Sequence, residues 1–176
     1  GQVLVRVTAT AKNNTDRKAR EGLYPTKDKD EVASFQMGGS ATLTFPRIQG
    51  ADVAGRVAAV GEGVDPARLG ERGLLDFNLY PDDRRDINLT PDYYGHGADG
   101  GYAEYVSAPA VNAIPLPESV SYVQAASLPT VFMPCWAILL RRAALKPWET
   151  VLVLSASSGV GTAAIQVAKN VVGARV

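Results

Sequence analysis

Cysteine and histidine are nearly missing from this 176-residue chain, which holds one of each, Cys135 and His96. A single cysteine excludes an internal disulfide framework and a thiolate-rich metal cage, and it fits a reducing compartment, so a cytoplasmic location is expected. Charge of one sign is missing too: 18 basic residues offset 18 acidic ones. No summed field exists to gather phosphate backbones or anionic lipid, and nucleic acid is not expected as a partner. No run approaches the roughly 20 apolar residues that span a bilayer. The opening Gly1-Gln2-Val3-Leu4-Val5-Arg6-Val7 alternates instead of forming a signal peptide's apolar block, so no membrane is expected. What is present is a globular composition, 46% hydrophobic, enough to bury a core in one domain or one and a half.

Two kinds of periodicity divide the chain. Val3, Val5 and Val7 alternate with Leu4, Arg6 and Thr8, which is the period of a half-buried strand. Asn13-Asn14-Thr15-Asp16 follows, and Thr15 or Asp16 can cap a short helix through Ala19 before Gly22 stops it. Residues 25–45 carry charges, paired glycines and little periodicity, and read as a surface insertion. Residues 48–60 space glycines among Ala and Val, as strands do where they cross closely at a barrel corner. Residues 74–77, 100–106 and 111–114 read as further strands, and the polar segment 78–99 as loop. After Pro117 the period changes. Ser121 and Gln124 form a capping-box pair, Pro129 interrupts the helical run, and a second helix is expected from Pro134 to about Ala144.

The unit with most chemical content comes last. Val151-Leu152-Val153-Leu154 is a continuous apolar run of the kind found in fully buried parallel strands. The turn Ser155-Ala156-Ser157-Ser158-Gly159-Val160-Gly161 follows, then a helix with apolar residues at Val160, Ala163, Ala164, Val167, Ala168 and Val171. A glycine-containing turn opening a helix lets backbone approach a diphosphate, whose charge meets unpaired N–H groups and the positive end of the helix dipole. Ser155 through Gly161 are therefore the candidate dinucleotide-binding residues. A plain strand-to-helix turn is the alternative. A serine nucleophile elbow needs Gly-x-Ser-x-Gly, which this turn does not supply. Wherever Ser155 or Ser158 adopts a positive φ, its side chain costs about 1 kcal/mol or more.

Six segments then line up in one order: Gly50-Ala51-Asp52-Val53-Ala54-Gly55, Val60-Gly61-Glu62-Gly63-Val64, Gly70-Glu71-Arg72, Gly100-Gly101-Tyr102-Ala103-Glu104-Tyr105, Pro115-Leu116-Pro117 and Ala125-Ala126-Ser127-Leu128-Pro129, ahead of the Ser155–Gly161 turn. This order resembles the medium-chain dehydrogenase/reductase superfamily, most closely its zinc-free quinone-oxidoreductase branch and alcohol-dehydrogenase-like relatives. The resemblance implies an α/β protein with a β-rich part. A GroES-like β-barrel domain (1–117, lacking its first strands) would be followed by linking helices and the first strand-helix unit of an incomplete, doubly wound Rossmann sheet (118–176). The chain opens inside one strand pattern and stops at Ala174-Arg175-Val176 as another begins, so it reads as part of a longer protein and is not expected to be active alone.

The same resemblance implies NADP(H) or NAD(H) as cofactor, a small-molecule substrate, and a homo-oligomeric parent. Zinc-dependent relatives hold the catalytic metal at positions that by this resemblance correspond to Asn13, Ala51 and Thr130, none of them a good zinc ligand, so no zinc is expected. Asn13-Asn14-Thr15-Asp16 and Gly22-Leu23-Tyr24-Pro25 resemble segments whose Asn and Tyr lie near nicotinamide and substrate, which makes Asn13 and Tyr24 the candidate catalytic residues. Asn13 can equally be a turn former, and Tyr24 a strand-edge aromatic. Asp52 reads as a carboxylate bonded to backbone N–H groups, His96 as an exposed loop imidazole, and Cys135 as a packing residue. Three functions follow as expectations: a zinc-free NAD(P)H-dependent reductase of quinones, enones or other small carbonyls; an alcohol-dehydrogenase-like enzyme acting on hydroxyl substrates; and a non-catalytic GroES-like binding module.

Overall fold

The computed structural model describes residues 1–23, 43–80 and 92–176. Two compact units divide the chain, Gly1–Ser127 and Leu128–Val176.

The first unit is a curled, half-barrel sheet of five antiparallel strands in the order β6-β1-β2-β3-β7. These are β1 (Gln2–Ala11), β2 (Asp52–Val60), β3 (Arg72–Leu75), β6 (Tyr105–Pro109) and β7 (Ala113–Pro115). The alternation read in β1 is realised, with Val3 and Val5 buried while Gln2, Leu4 and Arg6 face outward. Register shifts between Leu4 and Val5 and between Val7 and Ala9 interrupt its pairing with β2 and bend the strand. The inner face packs Val3, Val5, Val53, Val57, Leu75, Tyr94, Val106, Ala108 and Ala113 into one core. On another face Ala54 meets Ala125 and Ala126 of helix α2 (Tyr122–Ala126). That helix starts as its sequence indicates: Ser121 Oγ accepts from the Gln124 amide at 3.2 Å, and the Gln124 side chain accepts from the Ser121 amide at 2.9 Å.

The segment read as loop holds a small hairpin, β4 (Asn78–Leu79) paired with β5 (Asp92–Tyr93). Two-residue strands are too short to show alternation, which is why the pattern is silent there. Tyr93 ties this hairpin to helix α1 (Asn14–Arg20) through a 2.9 Å hydroxyl pair with Thr15.

In the second unit, α3 (Pro129–Trp136) begins five residues earlier than the sequence suggests, with Pro129 in its first turn and Pro134 inside it. An N-terminal proline suits a helix start, whereas the interior Pro134 cannot donate to the Thr130 carbonyl. The helix then widens into a π-helical turn over Ala137–Arg142. Helix α4 (Gly159–Gln166) widens likewise over Val167–Val172 and ends at Gly173, whose φ is 81°. Cys135, Leu139, Ala163, Val167 and Ala168 form the core between these two helical runs.

The expected buried strand 151–154 is corrected. Thr150 forms one parallel bridge with Arg175, backed by bonds from Val151 N to Arg175 O (2.9 Å) and from Arg175 N to Glu149 O (3.1 Å). Beyond it, Leu152 is 84% and Leu154 79% exposed. A parallel strand is buried only when strands flank it, and among the described residues no strand lies beside 151–154. The sense of the bridge is nevertheless that of a strand-helix-strand crossover.

Candidate active site and the glycine bend

In the first unit the site assembles around a backbone crossing. Gly100 N donates to Ile48 O at 2.8 Å, Gly101 N to Gly50 O at 2.7 Å and Tyr102 N to Gln49 O at 2.8 Å. Gly50 has φ 105°, and a Cβ on it would lie 2.8 Å from Tyr102 N. The glycine spacing read as a tight crossing therefore reflects main chain that passes too closely for side chains.

Two buried carboxylates meet at this crossing. Asp16 Oδ1 accepts from Gly50 N at 3.2 Å, and Asp16 Oδ2 accepts from Asn13 N at 2.8 Å. The first of these ties α1 to the chain entering β2. Asn13, not Thr15 or Asp16, is the N-cap of α1, with Asp16 reaching back to its amide. Asp52, 1% exposed, accepts from Asn13 Nδ2 at 2.8 Å through Oδ2, and its carbonyl accepts from Thr10 Oγ1 at 2.7 Å. The Asn13 side-chain amide stands beside Asp52, and Asp16 takes the backbone donors of Asn13 and Gly50. Tyr102 closes the cluster. Its hydroxyl donates to Ala11 O at 3.3 Å, and burial, reinforced by the Asp16 charge, pushes its phenol up to about 12.

Sequence reasoning singled out Asn13 and Asp52 separately and missed both their pairing and the parts played by Asp16 and Tyr102. The residues stand 39 apart for the first pair and 34 apart for Asp16 and Gly50, so no local pattern could report them. Tyr24 lies outside the described residues, as do 25–42 and 81–91. His96 is corrected: it is 1% exposed, with Nδ1 2.8 Å from Asp92 Oδ1 and its ring stacked on Tyr93 at 5.0 Å. A loop surrounded by glycine and aspartate reads as solvated, yet this imidazole is buried against Asp92 and Tyr93 of β5.

In the second unit the candidate dinucleotide bend is exposed from Ser155 through Val160. Ser155 takes a positive φ of 54°, so the strain anticipated for a side chain there is present. Ser158 does not share it. Its φ is −73°, and it caps α4, with Oγ accepting from Gly161 N at 3.0 Å. The Gly161 amide is thereby occupied, which leaves the amides of Gly159 and Val160 as first-turn donors without an intrahelical acceptor. Gly161 serves packing instead: a Cβ there would meet Ser155 O and lie 2.8 Å from Ala156 Cα. Cys135 donates its thiol to Val160 O at 3.2 Å beneath the same turn, and burial raises its pKa, which makes it a packing group and not a nucleophile.

The chemistry of the donor sets separates two groups that this fold can hold. Zinc does not fit: Ala51 offers no ligand atom, and Asn13 turns its amide nitrogen toward Asp52. Among the described residues no three His, Cys, Asp or Glu side chains are grouped to hold a metal ion. A dinucleotide phosphate is compatible with the donor set of the second unit, where a solvent-facing bend ends at a helix N-terminus whose Gly159 and Val160 amides have no intrahelical acceptor.

A curled GroES-like sheet followed by the opening strand-helix unit of a Rossmann-type fold defines the class. The family model of the alcohol dehydrogenase GroES-like domain matches residues 1–118, and the chain belongs to that family, on the quinone-oxidoreductase-like branch of the medium-chain dehydrogenases/reductases. It is 29% identical to human quinone oxidoreductase over 168 residues, covering 96% of this chain and 41% of that protein. Among solved structures it is similar to a Sinorhizobium meliloti 1021 protein assigned to the alcohol dehydrogenases (46% identity, TM-score 0.85, 99% of this chain and 47% of that one). It is also similar to a short chain alcohol dehydrogenase from E. coli CFT073 in complex with NADH (27% identity, TM-score 0.79, 99% and 47%). The chain thus spans roughly two-fifths to one half of the proteins it matches. Among the described residues no helix is long and apolar enough to cross a membrane.

Proposed function

We propose that the protein containing this chain is an NAD(P)H-dependent oxidoreductase that reduces a quinone, enone or other small carbonyl without zinc. The observation that carries this reading is the exposed bend from Ser155 to Val160, which ends on α4, where the first-turn amides of Gly159 and Val160 have no intrahelical acceptor. Ser155 through Gly161 would form the diphosphate cradle, with Gly161 shaping it from beneath. When bound, the dinucleotide supplies the hydride. Asn13, and Tyr24 eleven residues further along the chain, would hydrogen-bond the substrate oxygen as it gains negative charge, in place of a Lewis acid. One Nδ2 proton of Asn13 is committed to Asp52, and the other remains for that contact.

A second reading, oxidation of alcohols by the same cofactor, is favoured by the 46% identity to a structure assigned to the alcohol dehydrogenases. A cytoplasmic location, a small-molecule substrate and a homo-oligomeric assembly belong to the same proposal. Turnover of NADPH and NADH by the full-length protein with quinones, enones and aldehydes, in the presence of a chelator, tests it. Chelator-insensitive reduction is expected. Turnover confined to alcohols with the oxidised cofactor would favour the second reading, and no nicotinamide-linked turnover at all would leave a non-catalytic GroES-like module.

A further inference from the structure

A primary carboxamide is nearly symmetric in shape, and a half-turn exchanges its oxygen for its NH2 group. A side chain that must present a chosen edge to a substrate therefore needs a neighbour that distinguishes the two. A carboxylate does so, because it only accepts, and its bond to an N–H is charge-assisted. Asn13 is half-buried, and Asp52, buried at 1% exposure, takes its Nδ2 at 2.8 Å. The main chain of Asn13 is clamped separately by Asp16 at 2.8 Å, and both Asp16 oxygens are engaged with backbone amides. Backbone and side chain of Asn13 are thus fixed by two different carboxylates. A buried carboxylate is costly to maintain, and a well-packed apolar side chain at position 52 would serve stability better.

We infer that Asp52 is a positioning residue: it acts through Asn13, holding the carboxamide with its nitrogen inward and its carbonyl and remaining N–H outward. This rests on the proposal that Asn13 touches the substrate. The orientation itself does not depend on that proposal and has its own readout.

The test is a double-mutant cycle in the full-length protein, with NADPH or NADH as cofactor and 1,4-benzoquinone as acceptor. Asp52→Ala removes the acceptor, and Asp52→Asn keeps an oxygen but no longer dictates the flip. Misplacement of a contact group by about 1 Å can cost on the order of a hundredfold in rate. We expect kcat to fall tenfold to a hundredfold in Asp52→Ala, less in Asp52→Asn, with KM within about twofold in both. In an Asn13→Ala background neither substitution should lower kcat further. Equal losses in both backgrounds would show that Asp52 acts independently of Asn13 and would overturn the inference. Should Asp52→Ala fail to fold, Asp52→Asn runs the same cycle. The side-chain amide resonances of Asn13 supply the second measurement. They should lie apart from free carboxamides and move on Asp52→Asn, and resonances that do not move would also overturn the inference. If Asn13→Ala leaves kcat unchanged, the catalytic role of Asn13 fails, and the resonances alone decide the positioning claim.

Discussion

Gly161→Ala is the substitution whose outcome the structure fixes most closely. The added Cβ would meet the Ser155 carbonyl oxygen and lie 2.8 Å from Ala156 Cα, and both are backbone atoms that yield only if the bend opens. Overpacking of this kind costs about 1–3 kcal/mol. Replacing glycine near the start of a helix returns at most about 1 kcal/mol of helix propensity. Because both atoms are backbone, the cost belongs to the upper part of that range, about 2–3 kcal/mol, so the net expectation is a loss of about 1–2 kcal/mol, or a fall in midpoint of about 2–8 °C for a chain of this length. Both tryptophans, Trp136 and Trp148, lie in the second unit, so fluorescence on heating reads that unit without interference from the half-barrel. Gly159→Ala is the matched control. Its Cβ would stand 3.1 Å from Val131 Cγ1, the end of a side chain that can shift, and its effect should stay within about 0.5 kcal/mol. If Gly161→Ala melts with or above the wild type, or Gly159→Ala falls as far, the packing role assigned to Gly161 is wrong.

Other outcomes follow from the same geometry. Ser158→Ala removes the cap on the Gly161 amide and should destabilise the second unit by about 0.5–2 kcal/mol, read by the same fluorescence melt. Ser155→Gly relieves a positive φ and should be neutral or stabilising by up to about 1 kcal/mol, and a clear loss of stability would mean that the Ser155 side chain holds the bend. Tyr102 makes the protein sensitive to alkali. Its folded pKa, about 12, exceeds the ordinary value of about 10, so its stabilising contribution is complete below pH 10 and disappears as pH rises toward 12. Tyr102→Phe should flatten that limb of a pH–stability curve, and tyrosinate absorbance should show one phenol fewer titrating late.

Local signals were legible because local physics made them. The alternation of Val3 and Val5 set the inner face of β1, and the Ser121–Gln124 pair marked the start of α2. The strain at Ser155 could be anticipated because glycine at such a turn is used for its freedom at positive φ. What stayed hidden depends on tertiary packing that leaves no periodic signal. His96 is buried against Asp92 and Tyr93, four and three residues before it, in a segment too short to show a pattern, and Asn13 meets a carboxylate 39 residues away. Residues 151–154 have the composition of a central strand, but composition cannot supply the neighbours that would bury it. Pro134 resembles a helix start, but Pro129 already provides one, and Pro134 falls inside the helix.

The most direct test of dinucleotide binding at the bend is to follow the backbone amide resonances of Gly159 and Val160 in the full-length protein during titration with NADPH and with NADH. Both resonances should shift saturably with at least one cofactor, ahead of amides elsewhere in α4. Cofactor binding that leaves both unmoved, or no binding at millimolar cofactor, would contradict the account.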